Sequence, residues 1–203
     1  MILYGAPMPA PNPRRVRIFL AEKGIDLPET PVDMMKREHK SPDYRAKNSL
    51  GQIPTLELDC GATISETVAI CRYFEETQPE PPLFGKTALE KAHVDMWIRR
   101  IEFVLMSPVG NYWRHAHPYT AKLLTQYKDF GESNREAYAN AQKWLDRELA
   151  CRDFIAGHDY SMPERCARAT GDCATWIGLE LDPNHANLTA WRERVSARPS
   201  AAA

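Results

Sequence analysis

The chain has no long apolar run. Nothing approaches the ~18 consecutive apolar residues of a membrane span, although 43% of its 203 residues are hydrophobic. It has no excess of either charge, with 26 Lys+Arg against 27 Asp+Glu and a net charge of −1. That balance argues against a nucleic-acid binder working on bulk charge. It has no Cys-x-x-Cys, and its five cysteines are an odd number, which speaks against a disulfide framework or a zinc site. Met1–Gly5 lacks a charged region leading into an apolar stretch, so no secretory leader is expected. The expected compartment is reducing and cytoplasmic. No internal repeat is found.

What the chain does have is proline, 16 of them. They are aperiodic and fall between patterned segments, so they read as punctuation and not as disorder. Ile2–Tyr4 is a short apolar strand. The loop from Pro7 ends at Asn12, a good N-cap, with Pro13 as the first helical residue. Val16, Phe19 and Leu20 repeat at helical spacing, and Gly24 closes the helix. A second strand is expected around Thr30–Met34 and a short helix over Pro42–Lys47. Ile53–Leu58 alternates as a strand, the turn Asp59–Ala62 follows, and Thr63–Ile64 forms a fourth strand. Ser65 is expected to cap a helix to Thr77 with Ala69, Ile70, Tyr73 and Phe74 on one face. The order is β-α-β-α-β-β-α.

Gln78–Gly85 is proline-rich, extended and semi-rigid. Beyond it every pattern is helical. Thr87–Glu90 and Ser161–Glu164 are capping boxes, opening helices expected over Ala88–Met106 and from Ser161 to Leu179. Others are expected over Tyr119–Ala150, broken near Gly131, and over Leu188–Ala197. The domain reading is 1–78, a linker at 79–86, and an all-helical part at 87–203.

The chemistry falls in three blocks of the first part: Ala10–Val16, then His39-Lys40 with Asn48–Pro54, then Ser65–Ile70. Together they suit a small zwitterionic ligand. A helix start attracts a carboxylate through its free N–H groups and partial positive charge. Glu66 suits an ammonium group and Thr67 a carboxylate. His39, Lys40 and Gln52 supply donors for a second carboxylate. An Ile53–Pro54 peptide in the cis form would offer the Ile53 backbone to a peptide ligand, as an added strand does.

The Glu-His-Lys-Ser-Pro stretch, Gly51-Gln52-Ile53-Pro54 and Ser65-Glu66-Thr67 resemble the glutathione-binding half of the cytosolic glutathione transferases, of a bacterial, phi/theta/nu-like type. The linker, Asn187–Trp191 and Ser196–Pro199 resemble that family's helical half. The resemblance implies a thioredoxin-like α/β N-terminal domain followed by an all-α helical bundle, normally as a homodimer. It implies glutathione as co-substrate, with the cysteinyl part on Ile53 beside Pro54. The γ-glutamyl end would sit on Glu66 and Thr67, and the glycine carboxylate on His39, Lys40 and Gln52. The chain departs from the family at Ala10, where many members carry Ser, Thr or Cys. Thiol activation therefore turns to Asn12, an amide donor at a helix start, or to the Tyr4 phenol. A hydrophobic electrophile would be lined by Met8, Met106, Tyr112, Trp113 and His117.

Simpler roles compete with these. Asn12 also reads as a cap, His39-Lys40 as a solvated loop, and Tyr4 as core. His115 and His117, two apart without clustered acids or cysteines, argue for no metal. Trp97, Trp144, Trp176 and Trp191 read as packing, and Cys166 and Cys173 as small buried apolar groups. Conjugation of glutathione to an apolar electrophile is the expected activity. A glutathione-dependent disulfide reductase or peroxidase, or a non-catalytic binding protein of the same fold, are the alternatives.

Overall fold

The computed structural model describes residues 1–7 and 10–203. Two compact units emerge, Met1–Leu83 with Ala202–Ala203, and Phe84–Ala201.

The first unit is a four-stranded mixed sheet with helices. Its elements are β1 (Ile2–Gly5), α1 (Pro11–Lys23), β2 (Glu29–Pro31), a 3₁₀ turn (Glu38–Lys40), α2 (Pro42–Lys47), β3 (Thr55–Glu57), β4 (Thr63–Ser65) and α3 (Thr67–Thr77). The strand order is β2-β1-β3-β4. β1 is parallel to β2 and antiparallel to β3, and β4 is antiparallel to β3. Leu3 and Leu56 meet across the β1–β3 ladder and are buried with Val16, Phe19, Ile70 and Phe74. α1 packs on α3.

Several boundaries differ from the sequence reading for definite reasons. α1 begins at Pro11 with Ala10 at the N-cap, so Asn12 lies inside the first turn and caps nothing. Both Pro11 and Pro13 fit there, because first-turn N–H groups have no helical partner to lose. Ser65 ends β4, and Glu66 occupies the N-cap of α3. The buried face of α3 is Thr67, Ile70, Cys71, Phe74 and Glu75, while Ala69 is exposed. β2 stops at Pro31 and the chain turns over Met34–Arg37. β3 starts after Pro54, which has no N–H for a ladder.

At the end of α3, Lys23 and Glu75 form a buried ion pair, with Nζ to Oε2 at 2.6 Å. Lys23 Nζ also donates to the carbonyls of Gln78 and Pro81, each at 2.7 Å, and Glu75 Oε1 accepts the Leu83 N–H at 2.9 Å. The proline-rich segment is thus tied to α1 and α3 through two side chains.

The second unit is helical: α4 (Ala88–Arg100), a π-helical turn (Ile101–Met106), α5 (Ser107–His115), a 3₁₀ turn (Pro118–Lys122), α6 (Lys128–Glu148), α7 (Met162–Trp176) and α8 (Ala186–Ser196). Both capping boxes form, Thr87 with Glu90 and Ser161 with Glu164. The expected helix to Met106 is regular only to Arg100. Pro108 lacks an N–H and its ring crowds the carbonyl one turn back. The chain answers with wider i→i+5 bonding, such as Ser107 N–H to Glu102 O. Gly131 does not break α6. A side chain there would meet His115 C at 2.6 Å and Ala116 N at 2.7 Å, so glycine allows α5 and α6 to approach closely. Trp97 and Trp191 are buried, whereas Trp176 is 50% exposed and packs only at the surface, against Trp113 and His117. Among the described residues, no helix is long and apolar enough to cross a membrane.

Candidate functional site

The ladders bring the three sequence blocks to one end of the sheet. Tyr4 pairs with Thr55, and Thr55 with Ser65. The end of β1, the start of β3 and the end of β4 therefore coincide. β2, parallel to β1, also ends there. From this end spring the N-termini of α1 and α3, the Gln52–Pro54 turn and the His39-Lys40 turn.

The Ile53–Pro54 bond is cis. Among the described residues, neither the Ile53 N–H nor its carbonyl has a hydrogen-bond partner. At the start of α3, Glu66 is exposed with φ 69° and ψ 121°, a region an L-residue rarely enters. Its carboxylate makes no cap bond, and its carbonyl takes the Ile70 N–H at 2.9 Å. Thr67 is the first helical residue and is buried. The N–H groups of this first turn point outward from the positive end of the helix and can receive an anion. An acid beside such a helix start suits a ligand carrying both an ammonium and a carboxylate.

At α1, the Asn12 Oδ1 is buried without a partner among the described residues. Such an atom is costly unless something binds it. Ala10 makes no side-chain bond. His39 Nδ1 is likewise buried and unpartnered. Burial, and then the charges of Lys40, Arg37 and Arg45, hold its imidazole below the usual range. Lys40 donates to the carbonyls of Leu50 at 3.0 Å and Gly51 at 2.6 Å, and burial lowers its pKa with help from Arg45 and Arg37. Its ammonium therefore shapes the Leu50–Gln52 turn as well as adding positive charge. The Gln52 side chain belongs to an exposed residue. Gly51 has φ 56°, and a Cβ there would stand 2.4 Å from the His39 carbonyl, so glycine lets the two turns touch.

Tyr4 is engaged by Glu57 and Lys47. Its hydroxyl donates to Glu57 at 2.8 Å, Lys47 reaches the same carboxylate at 2.6 Å, and Lys47 Nζ lies 5.2 Å from the Tyr4 ring centre. Lys47 and then Tyr4 hold the Glu57 carboxyl below its ordinary range. The phenol is thus engaged in fastening α2 to the sheet.

The expected electrophile-lining residues, Met8 aside, lie in the second unit. Met8 falls outside the described residues. Met106 ends the π-helical turn, half-buried. Tyr112 is buried, with its hydroxyl against Arg135 and the guanidinium 4.4 Å over its ring. It packs α5 on α6 instead of lining an open surface. Trp113 and His117 share an aromatic cluster with Tyr119 and Trp176, at ring separations of 4.8–6.0 Å. Burial lowers the His117 pKa, and its Nδ1 accepts the Tyr119 N–H at 3.3 Å. Among the described residues, no group of three His, Cys, Asp or Glu is placed to hold a metal ion.

Asn48 opens the second sequence block, but its partnership with Tyr44 and Thr55, two residues to which the sequence assigns no role, is visible only in the structure. All three are buried and converge on the Gln52 carbonyl. The only sequence signal is three polar side chains flanking the Gly51–Pro54 turn.

A four-stranded sheet of this order with helices, a cis-proline turn at one end and a separate helical region define a thioredoxin-like domain followed by a helical one. Residues 10–77 match the family model "Glutathione S-transferase, N-terminal domain". Glutathione S-transferase 2 of Saccharomyces cerevisiae is 36% identical over 98% of this chain and 87% of its own length. The crystal structure of Gtt2 from that yeast superposes with a TM-score of 0.92 at 35% identity, covering 98% of both chains. A maleylacetoacetate isomerase of Rattus norvegicus is 39% identical over 83% of this chain and 76% of its own. The chain belongs to the glutathione S-transferase family of enzymes, whose substrate is glutathione.

Proposed function

We propose that the protein conjugates the glutathione thiolate to a small hydrophobic electrophile. The observation that carries this reading is the convergence at one end of the sheet of the Ile53 N–H and C=O, neither bonded among the described residues, and the Glu66–Thr67 helix start. The cysteinyl part would pair with the Ile53 backbone beside Pro54. The γ-glutamyl ammonium would meet Glu66, and its carboxylate the Thr67 hydroxyl and N–H. His39, Lys40 and Gln52 would take the glycine carboxylate. Asn12 is the favoured partner of the sulfur: its amide sits in the first turn of α1, where the helix dipole is positive, and donation from it favours the thiolate. Tyr4, engaged with Glu57, is the weaker candidate. Holding the nucleophile against the electrophile adds proximity to the raised thiolate fraction. Met106, Trp113 and His117 supply apolar and aromatic surface suited to such an electrophile.

Ultraviolet absorbance of the bound thiolate against pH tests the assignment. One charge-assisted hydrogen bond is worth about 1.5–3 kcal/mol, so Asn12→Ala should raise the titration midpoint by about one to two pH units. Tyr4→Phe should leave it in place. The reverse pattern would name Tyr4 as the donor, and no calorimetric binding at millimolar glutathione would sink the reading. The hydroxyl-free Ala10 also suits reduction of a small disulfide, and paired assays with a disulfide and an aryl halide separate the two activities.

The same reading takes the protein as a cytoplasmic homodimer in detoxification. Leu89, Met96 and Phe103, at seven-residue intervals, are 66%, 37% and 70% exposed and would suit burial against a second copy. Sedimentation equilibrium should give twice the 23.1 kDa chain mass; a monomer at micromolar concentration would refute it.

A further inference from the structure

We propose that Tyr44, Asn48 and Thr55 are positioning residues that aim the Ile53 N–H at the ligand by fixing the carbonyl on the other side of the same peptide. The inference rests on the glutathione reading, in which the ligand docks on Ile53.

Tyr44 Oη donates to Gln52 O at 2.9 Å, and Asn48 Nδ2 donates to the same oxygen at 2.9 Å. These two bonds fill both lone pairs of a carbonyl. The Thr55 hydroxyl stands 3.4 Å from the oxygen and joins the two donors, 3.0 Å from Tyr44 Oη and 3.2 Å from Asn48 Nδ2. Asn48 also receives the Leu50 N–H on its Oδ1 at 3.2 Å and the Gly51 N–H on its main-chain carbonyl at 2.8 Å. The trio is buried, with Thr55 fully so, and buried polar networks of this kind rigidify what they touch.

What they touch is one peptide unit. The Gln52–Ile53 bond is not among the cis bonds, so it is planar and trans, and its N–H points opposite its C=O. Drawing the Gln52 oxygen inward toward α2 and β3 turns the Ile53 N–H outward. The Ile53 N–H is the donor that has no partner among the described residues. Three side chains that never touch glutathione would thereby set the direction of a bond that does.

Two small ligands isolate that bond. γ-Glutamylcysteine amide keeps the cysteinyl carbonyl that would accept from Ile53, and γ-glutamylcysteamine lacks it. Neither carries glycine. Titration calorimetry on Thr55→Val and Tyr44→Phe should show the amide weakened about tenfold and the cysteamine by less than about twofold. Thr55→Ser keeps the hydroxyl and should bind both ligands within about twofold of the parent protein. Equal losses for the two ligands would mark the trio as merely structural and overturn the proposal, as would undiminished amide binding in both variants. Tyr44→Phe carries the test alone should Thr55→Val not fold. Failure of the parent protein to bind glutathione itself would instead overturn the underlying reading.

Discussion

Lys23→Met removes the cation of a buried pair and takes from Glu75 the ammonium 2.6 Å from its carboxylate. The Lys23 side chain is wholly buried and that of Glu75 nearly so, and their 2.6 Å contact lies off the hydrogen-bonding direction, leaving the attraction mainly Coulombic. Deleting one partner of such a pair costs about 3–5 kcal/mol. The carbonyls of Gln78 and Pro81 lose their shared donor, adding about 1 kcal/mol each where water cannot replace it. A loss of about 5–7 kcal/mol is a large part of the 5–15 kcal/mol that holds an ordinary protein. Glu75→Gln in the same chain should recover most of the charge-related part, because the amide still accepts the Leu83 N–H. Urea unfolding can be read separately for the two units. All five tryptophans, at 97, 113, 144, 176 and 191, lie in the second, so fluorescence reports that unit and backbone hydrogen exchange at β1 and β3 reports the first. With a urea slope of about 2–3 kcal/mol/M, Lys23→Met should move the first unit's midpoint down by about 2–3 M. A loss under about 1 kcal/mol, or a double variant no better than the single one, would refute the view that the buried charge dominates.

His39 should link glutathione binding to pH. Its imidazole is held below the ordinary 6.5 in the free protein, so stability is full above 6.5 and falls as pH drops toward the folded-state value, the unfolded chain taking the proton more readily. A bound carboxylate reverses that bias, so S-methylglutathione, which has no thiol to titrate, should bind up to about tenfold more tightly as pH falls through 6.5. Calorimetry in two buffers should register proton uptake, and His39→Gln should flatten both signals. Glu66→Gly should separate stability from binding. Relief of the positive φ is worth about 1–3 kcal/mol, partly offset by about 0.5–1 kcal/mol for the freer unfolded glycine. The thermal midpoint should therefore hold or rise while glutathione affinity falls; a drop in both would show that Glu66 is structural.

The sequence carried the fold well where a local rule acts alone. Pro42–Lys47 came out with its observed bounds because Ser41 and a first-turn proline are strong start signals. Thr87–Glu90 and Ser161–Glu164 announced their helices for the same reason. Asn12 misled because two prolines sit within three residues, and each is an acceptable helix start. The π-helical turn is hidden because the apolar period runs through Pro108 without a break. Gly131 looked like a stop, yet its meaning lies in a neighbouring helix that no local pattern records. At the candidate site, the sequence marks Glu66, Thr67 and the Ile53–Pro54 turn by residue type. The Tyr44–Asn48–Thr55 trio is not so marked, since its target is a main-chain oxygen, and every residue has one.

The Leu50–Gln52 turn has a further consequence, which is entropic. Its three successive carbonyls are each bonded, the first two by Lys40 and the third by Tyr44 and Asn48. Ordering a residue's backbone costs about 1–2 kcal/mol, and here that cost falls on folding instead of on association. In the proposed binding mode, a ligand arriving at Ile53 would meet a turn already fixed in shape. Free energy that a floppy loop would dissipate in becoming ordered remains available for affinity and for alignment of the sulfur.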